Sequence, residues 1–254
     1  MKLVSWNVNG LRSLAKDEYW EKFLHGTKPD VFCLQETKAT PEQLPEGLRE
    51  VPGFSSFFAS SQVKKGYSGV ALYSKVEPLQ VIYGMGTKEF DQEGRLLGAE
   101  YDDFWLLNAY FPNGGMGPER LDYKMRFYDA FLAFAEKLRK QKPVIFCGDI
   151  NTAHEPIDLA HPEAHEEDTG FLPEERAWID EVVDAGYVDT FRHFHPRAAA
   201  YSFWDQRFHA RDRNIGWRLD YFFAASELMK LIKTAEIHGD IYGSDHCPVS
   251  ITLA

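Results

Sequence analysis

Short apolar runs that break off at a polar residue set the terms for what this chain can become. Residues 2–4 lead to Asn7 and Asn9, residues 31–34 to Gln35 and Glu36, and residues 144–147 to Asp149 and Asn151. A fourth cluster, Ser244-Asp245-His246, stands with Cys247-Pro248 just before the apolar run 249–253. Runs of this length, rich in Val, Ile, Leu and Phe, form buried strands. Buried strands ending in carboxylates, amides and an imidazole imply one polar pocket at the strand ends. Oxygen donors favour a hard cation such as Mg²⁺, and the imidazole beside them points to phosphate-ester chemistry.

Strand-like runs recur along the chain, at 3–8, 30–35, 54–59, 69–74, 79–83, 96–101, 104–110, 143–147, 219–224, 234–238 and 249–253. Helical patterns are fewer. A short one covers 19–24. A long one covers 119–140, with Leu121, Met125, Tyr128, Phe131, Leu132, Ala135 and Leu138 at helical spacing, a stripe that reads as core packing. A third runs from Pro173, suited to a first helical turn, to Gly186, suited to the end. Many strands with a few long helices predict an α/β chain, its sheets packed face to face and its helices outside. No Pro/Gly/Ser-rich linker divides the chain, so residues 1–254 read as one domain. Residues 3–10 and 144–151 echo each other, too briefly to count as a repeat.

A net charge of −11 argues against a general nucleic-acid coat protein but leaves room for a local basic face. Residues 207–218 offer one, with Arg207, Arg211, Arg213 and Arg218 against the single acid Asp212. The pair Lys64-Lys65 reads as solvated surface. Cys33, Cys147 and Cys247 are widely spaced and two lie in apolar runs, which suits buried thiols rather than a zinc or disulfide framework. That places the chain in a reducing compartment, cytoplasmic or, in a eukaryote, nuclear. No apolar stretch approaches membrane-spanning length, and Met1 leads into a strand pattern rather than a signal peptide.

Each polar cluster has a chemical reading and a plainer one. Glu36 closes a buried run, a costly place for a carboxylate unless it meets a metal or a cation such as Lys38. Asp149 and Asn151 are two apart and face one side of a strand. The Asp can take a proton from water while the Asn amide donates to an oxyanion; alternatively the pair is a turn in which Asn151 caps a helix. His246, with Asp220 available as a partner, suits proton transfer or contact with phosphate; otherwise it is a core histidine on a backbone carbonyl. Tyr110 ends a run before a Pro-Asn-Gly-Gly loop, as a pocket phenol or a core aromatic. Phe203, Trp204, Trp217 and Leu219 bracket the arginine-rich loop. Aromatics among arginines suit a face that holds an unstacked nucleotide, or else are core.

Together these segments resemble the exonuclease III family of apurinic/apyrimidinic (AP) endonucleases along nearly the whole chain. The resemblance is carried by Ser5-Trp6-Asn7-Val8-Asn9-Gly10, Leu34-Gln35-Glu36-Thr37-Lys38, Asp91-Gln92-Glu93-Gly94-Arg95, Tyr110 with Pro112-Asn113, Gly148-Asp149-Ile150-Asn151 and Ser244-Asp245-His246. The Gln-Glu, Gly-Asp-x-Asn and Ser-Asp-His elements are shared with DNase I-like nucleases and inositol-phosphate phosphatases. Gly66-Tyr67-Ser68-Gly69-Val70 and Trp217-Arg218-Leu219-Asp220-Tyr221 belong to the AP-endonuclease branch.

The resemblance implies a four-layered α/β sandwich of the DNase I-like type, its site open at one end. It implies a monomeric, Mg²⁺-dependent phosphodiesterase, with Mn²⁺ as a substitute, that cuts duplex DNA 5′ to abasic sites. The products are a 3′-hydroxyl and a 5′-deoxyribose phosphate. Family members often add 3′→5′ exonuclease and 3′-phosphodiesterase or phosphatase activity on 3′-blocked ends, and some cut beside uracil or damaged bases. By the same resemblance Glu36 holds the metal, Asn7, Asn9 and Asp245 lie near it, and Asp149, Asn151 and His246 complete the candidate ligands. Many relatives carry aspartate where Asn9 stands. Asp149 aligns or deprotonates water, Asn151 and Tyr110 contact the phosphate, and His246, oriented by Asp220, stabilises the pentacovalent oxygens. Phe203, Trp217 and Leu219 form the abasic pocket. Arg12, Lys38, Tyr67 and Arg95 contact DNA, and Met116 and Arg207 stand in two loops that enter the base stack.

The loop 161–169 departs from the family: it carries four acids and two histidines where many relatives carry lysines and asparagines. Two other functions compete. A phosphatase of the same superfamily, acting on inositol phosphates or lipids, needs the metal site but neither the aromatic pocket nor the arginine loop. A DNA-binding scaffold without catalysis has no need of Glu36, Asp149, Asn151, Asp220 and His246 together.

Overall fold

The structure, a computed structural model, describes residues 1–16 and 18–254, apart from the side chain of Phe208. Two six-stranded sheets organise it. The first runs in the order β11 (Ile232–Ile237), β12 (Val249–Leu253), β1 (Lys2–Asn7), β2 (Val31–Gln35), β4 (Val70–Ser74), β3 (Ser55–Ala59). The second runs β5 (Gln80–Tyr83), β6 (Leu96–Glu100), β7 (Trp105–Tyr110), β8 (Val144–Asp149), β10 (Asp220–Ala225), β9 (Tyr187–Asp189). β1 with β2 and β7 with β8 are parallel pairs, and the other pairings are antiparallel, so both sheets are mixed.

Alternation along each central strand builds the layers. Leu3, Val31, Cys33, Val70 and Leu72 of one sheet meet Leu97, Ala99, Leu106, Ile145, Cys147 and Phe222 of the other. Their neighbours one residue along point outward, because successive strand side chains alternate. On the first sheet, Val4, Trp6, Phe32 and Leu34 pack under Trp20 and Phe23 of α1 (Tyr19–Thr27). Short helices α2 (Glu46–Arg49) and α3 (Lys88–Asp91) follow. On the second sheet, Leu107, Ala109, Val144 and Phe146 pack under α4 (Pro118–Arg139) and α5 (Pro173–Asp184), through Phe127, Phe131, Trp178 and Ile179. Each such side chain contributes about 1.5–3 kcal/mol on burial. The result is the four-layered α/β sandwich that the sequence implies.

Eleven strands lie where the apolar runs place them. β9 has three residues, too few to show a period, and α6 (Thr190–Phe194) follows it directly with Asp189 capping its first turn. The third helix ends at Asp184, two residues short of Gly186.

Register brings the polar residues to one edge. Tyr110 on β7 stands opposite Asp149 on β8, and Asp149 opposite Asp220 on β10. In the facing sheet Asn7 pairs with Gln35. A buried bridge fixes one sheet over the other just beneath this edge: Gln35 Nε2 donates to Asn108 Oδ1 (2.8 Å), and Asn108 Nδ2 donates to the Ala71 carbonyl (2.8 Å).

Candidate active site

The strand ends open into a cavity of about 730 Å³. One wall is polar, with Asn7, Asn9, Glu36, Tyr110, Asp149 and Asn151. The other carries Phe203, Trp217 and Leu219. The chain turns sharply as it leaves the strands. Asn9 (φ 43°), Glu36 (φ 58°) and Asn151 (φ 58°) are all left-handed. That conformation is uncommon for a glutamate and concentrates at functional sites. Before Asp149, Gly148 lies so close to β7 that a Cβ would come 1.8 Å from the Ala109 carbonyl oxygen, so only glycine fits there.

Asp149 is buried and ringed by amides. Asn7 Nδ2 donates to its Oδ2 (2.8 Å), as does Asn151 Nδ2 (3.2 Å), and the Asn151 backbone N–H donates to Oδ1 (2.8 Å). Burial pushes its pKa up; the His246 charge pulls it down and Asp220 pushes it up again, to about 7. His246 Nδ1 meets Asp220 Oδ2 at 2.7 Å, and Ser202 Oγ donates to the same oxygen at 2.7 Å. Burial disfavours the imidazolium, yet Asp220 and Asp149 overcome it and hold the His246 pKa at about 10. His246 is thus a cation at neutral pH, its Nε2 3.9 Å from Asp149 Oδ2. Burial and the Glu36 charge push the Tyr110 phenol well above its ordinary pKa, so it stays protonated and can donate.

Asp149, Asp220 and His246 bring ligand atoms within 4.8 Å of one another, a group that could hold a metal ion. A charged imidazole tied to Asp220 is a poor ligand, however, and the oxygens of Asp149 already accept amide donors. The sequence places both, with Asn151, among the candidate ligands; here Asp149 accepts from Asn7 and Asn151, and His246 meets Asp220. The opposite corner suits a hard cation better. Glu36 meets the Lys38 ammonium at 2.8 Å, and Lys38 also donates to Asn9 Oδ1. Asn9 Nδ2 donates to Asp245 Oδ2 (3.0 Å). The Glu36 carboxylate and Asn9 Oδ1 already converge on the Lys38 ammonium, with Asp245 bonded to Asn9 beside them, and all-oxygen donor sets fit Mg²⁺.

The chain matches the Endonuclease/Exonuclease/phosphatase family over residues 4–246. It is 45% identical over 257 residues to an exodeoxyribonuclease of Bacillus subtilis, covering 100% of this chain and 99% of that protein. It is 43% identical to the DNA repair nuclease APEX1 of Danio rerio, covering 100% of this chain and 82% of that one. The crystal structure of an AP endonuclease from Leishmania major superimposes with a TM-score of 0.89 at 32% identity, over 98% of this chain and 86% of that one. The chain belongs to the endonuclease/exonuclease/phosphatase family. Within that family it is an enzyme of the AP-endonuclease and exodeoxyribonuclease branch.

For a member of this family, the DNA-contact candidates fall into three groups. Arg12 is exposed, Met116 is 77% exposed, and Arg207 lines the cavity. Lys38 and Tyr67 are half-buried. Arg95 is 2% exposed, and here the sequence expectation of a DNA contact is corrected. Its guanidinium lies 4.7 Å from the Tyr110 ring and donates to the Tyr110 carbonyl (2.9 Å), to Glu93 (2.5 Å) and to the Tyr67 hydroxyl (2.8 Å). With every arm engaged, Arg95 supports Tyr110 rather than reaching a ligand. The sequence assigns no role to Ser202, which donates to Asp220, and names Asn113 only as part of the resemblance, without the bond its Nδ2 donates to Asn151 Oδ1 (3.1 Å). A serine gives no sequence signal until the fold brings it to its partner.

Phe203, Trp217 and Leu219 line the cavity together. Phe203 lies 4.8 Å from the His246 ring, joining the apolar wall to the polar one. Trp204 instead packs behind, with Ala210 and Cys247. The acidic loop borders the same cavity: His165 packs against Trp217 (4.8 Å) and meets Asp168 (2.7 Å), while Glu163, Glu166 and Glu167 are exposed.

Proposed function

We propose that this enzyme cuts duplex DNA 5′ to abasic sites, using Mg²⁺ or in its place Mn²⁺, and leaves a 3′-hydroxyl and a 5′-deoxyribose phosphate. Trimming of 3′-blocked ends would use the same chemistry. One observation carries the reading: groups that handle phosphate and an apolar alcove share one cavity. A flipped sugar without a base can enter between Phe203, Trp217 and Leu219, while its 5′ phosphate faces Asp149, Asn151, Tyr110 and His246. An inositol-phosphate phosphatase would have no use for that alcove.

Glu36 and Asp245, with Asn7 and Asn9, would hold the metal, which when bound neutralises phosphate charge. The protein's own groups do the rest. Asp149, poised near neutrality, takes the proton of an attacking water. The Tyr110 hydroxyl and the His246 cation donate to the phosphoryl oxygens as their charge grows, while the Asn151 amide, held on Asp149 and the Phe111 carbonyl, lies against the phosphate. The Tyr110 and His246 donors are fixed by the fold, so they need no reorganisation as the reaction proceeds. Both sheets supply residues to this one site, which supports reading residues 1–254 as a single domain acting as a monomer. Three buried free thiols fit a reducing compartment, cytoplasmic or nuclear. Among the described residues no helix is long and apolar enough to cross a membrane.

Competition between abasic duplex, intact duplex and inositol phosphates tests the substrate, with abasic duplex expected to be cut fastest. Trp217→Ala is expected to reduce discrimination between abasic and intact duplex more than total DNA affinity, in paired binding and cleavage assays. Equal losses on both would mark Trp217 as packing only. A second expectation concerns the acidic loop, which repels phosphate. Replacing Glu163, Glu166 and Glu167 with Lys should tighten duplex binding and steepen its salt dependence. Unchanged affinity and slope would mean that the loop stays clear of DNA.

A further inference from the structure

Two fully buried charges lie behind the cavity, outside the residues assigned to the reaction. Lys124 sits within α4 and Glu175 in the first turn of α5, and both are 0% exposed. Stability alone does not explain them, because apolar residues of similar volume often replace a buried ion pair without loss.

Their hydrogen bonds reach forward to the cavity. Lys124 Nζ donates to the Asn151 carbonyl (2.8 Å), to Thr152 Oγ1 (3.0 Å) and to Glu175 Oε1 (2.5 Å), which uses all three of its protons. Glu175 accepts from Thr169 Oγ1 (2.8 Å) and from the backbone N–H groups of Gly170 and Leu172. The pair therefore clamps two turns together. One carries Asn151. The other carries Thr169 and Gly170, where a Cβ on Gly170 would come 3.4 Å from the Trp217 ring. The two turns also bond directly, from the Ala153 N–H to the Gly170 carbonyl (2.8 Å).

Asn151 needs such an anchor. Its backbone is left-handed, at φ 58°, and its Nδ2 must point at both the Phe111 carbonyl (3.0 Å) and Asp149. Without a hold on its carbonyl, the turn is free to relax and swing the amide off Asp149.

We propose that Lys124 and Glu175 form a positioning pair that sets the Asn151 amide against Asp149 and ties it to the pocket wall at Thr169 and Gly170. The proposal rests on reading Asn151 as a phosphate contact. It gives the buried pair a part in turnover, transmitted through one side chain.

The test is a double-mutant cycle on an abasic duplex with Mg²⁺. Lys124→Met with Glu175→Leu removes both charges, so neither is left buried and alone. Asn151→Gly removes the amide and keeps the left-handed backbone. The paired substitution is expected to lower kcat by about 10–100-fold in the Asn151 background with KM nearly unchanged. In the Asn151→Gly background it should lower kcat by less than about 2-fold further, because coupled residues are not additive. Equal falls in both backgrounds, or none in either, would overturn the proposal. Should the paired variant fail to fold, Lys124→Arg keeps the charge, enters the same cycle and carries the same two outcomes. Incision by the wild type reports on the substrate reading alone, so failure of that reading and failure of the pair are told apart.

Discussion

Asp149→Asn is expected to slow single-turnover incision by about 10²–10⁴-fold while leaving the fold and DNA binding almost intact. The substitution keeps the shape of the side chain and the bond from the Asn151 N–H, at the cost of the Oδ2 acceptor shared by the Asn7 and Asn151 side-chain amides. It removes the carboxylate that can take a proton, and an amide has no such capacity near neutrality. Burial has already raised the Asp149 pKa to about 7, so losing its charge relieves desolvation rather than leaving a gap. One negative charge near the phosphate also disappears, which favours DNA binding. Circular dichroism, duplex affinity and single-turnover rate together check this. An affinity that falls in step with the rate would assign Asp149 a structural role instead.

Arg218→Met is expected to destabilise the protein by about 3–5 kcal/mol, because it strands buried carboxylates. Arg218 is 0% exposed; Nε donates to Asp158 Oδ1 (2.7 Å), and Nη2 donates to Asp158 Oδ2 (3.0 Å) and Asp189 Oδ2 (2.7 Å). This network anchors the strand that presents Leu219 and Asp220 to the cavity. It also sets an acid limit. Burial would raise the Asp158 pKa, but Arg218 and Arg192 overcome it and hold it at about 2, below the ordinary 3.8. A depressed carboxylate contributes stability above its unfolded value, and that contribution fades as pH falls from 3.8 through about 2. Urea unfolding should therefore show the wild type losing stability across that window and Arg218→Met losing less, from a lower starting point. A variant as stable as the wild type at neutral pH would contradict this view of the network.

Much of this was legible in the sequence because strands buried on both faces announce themselves. Val31–Gln35 and Val144–Asp149 are unbroken apolar runs, and their polar endings marked the site. The pairing of His246 with Asp220, 26 residues apart, was within reach because both sit in recognisable motifs. Arg95 was not, since a guanidinium reads as surface until the fold stacks it under Tyr110. Nor were the left-handed turns at Asn9, Glu36 and Asn151, which sequence composition does not reveal. Lys124 lies on the apolar side of an otherwise amphipathic helix, where periodicity alone takes a lysine for a solvated residue.

The most direct measurement is product analysis of an end-labelled duplex carrying one abasic analogue, with Mg²⁺, with EDTA, and with Glu36→Ala in Mg²⁺. Mg²⁺ should give one cut immediately 5′ to the lesion, with a 3′-hydroxyl that a polymerase extends. EDTA should abolish the cut, and Glu36→Ala should remove most of it. Wild-type cleavage rates with Glu36→Ala, or a duplex left whole by an enzyme that releases phosphate from inositol phosphates, would contradict the proposed site and substrate.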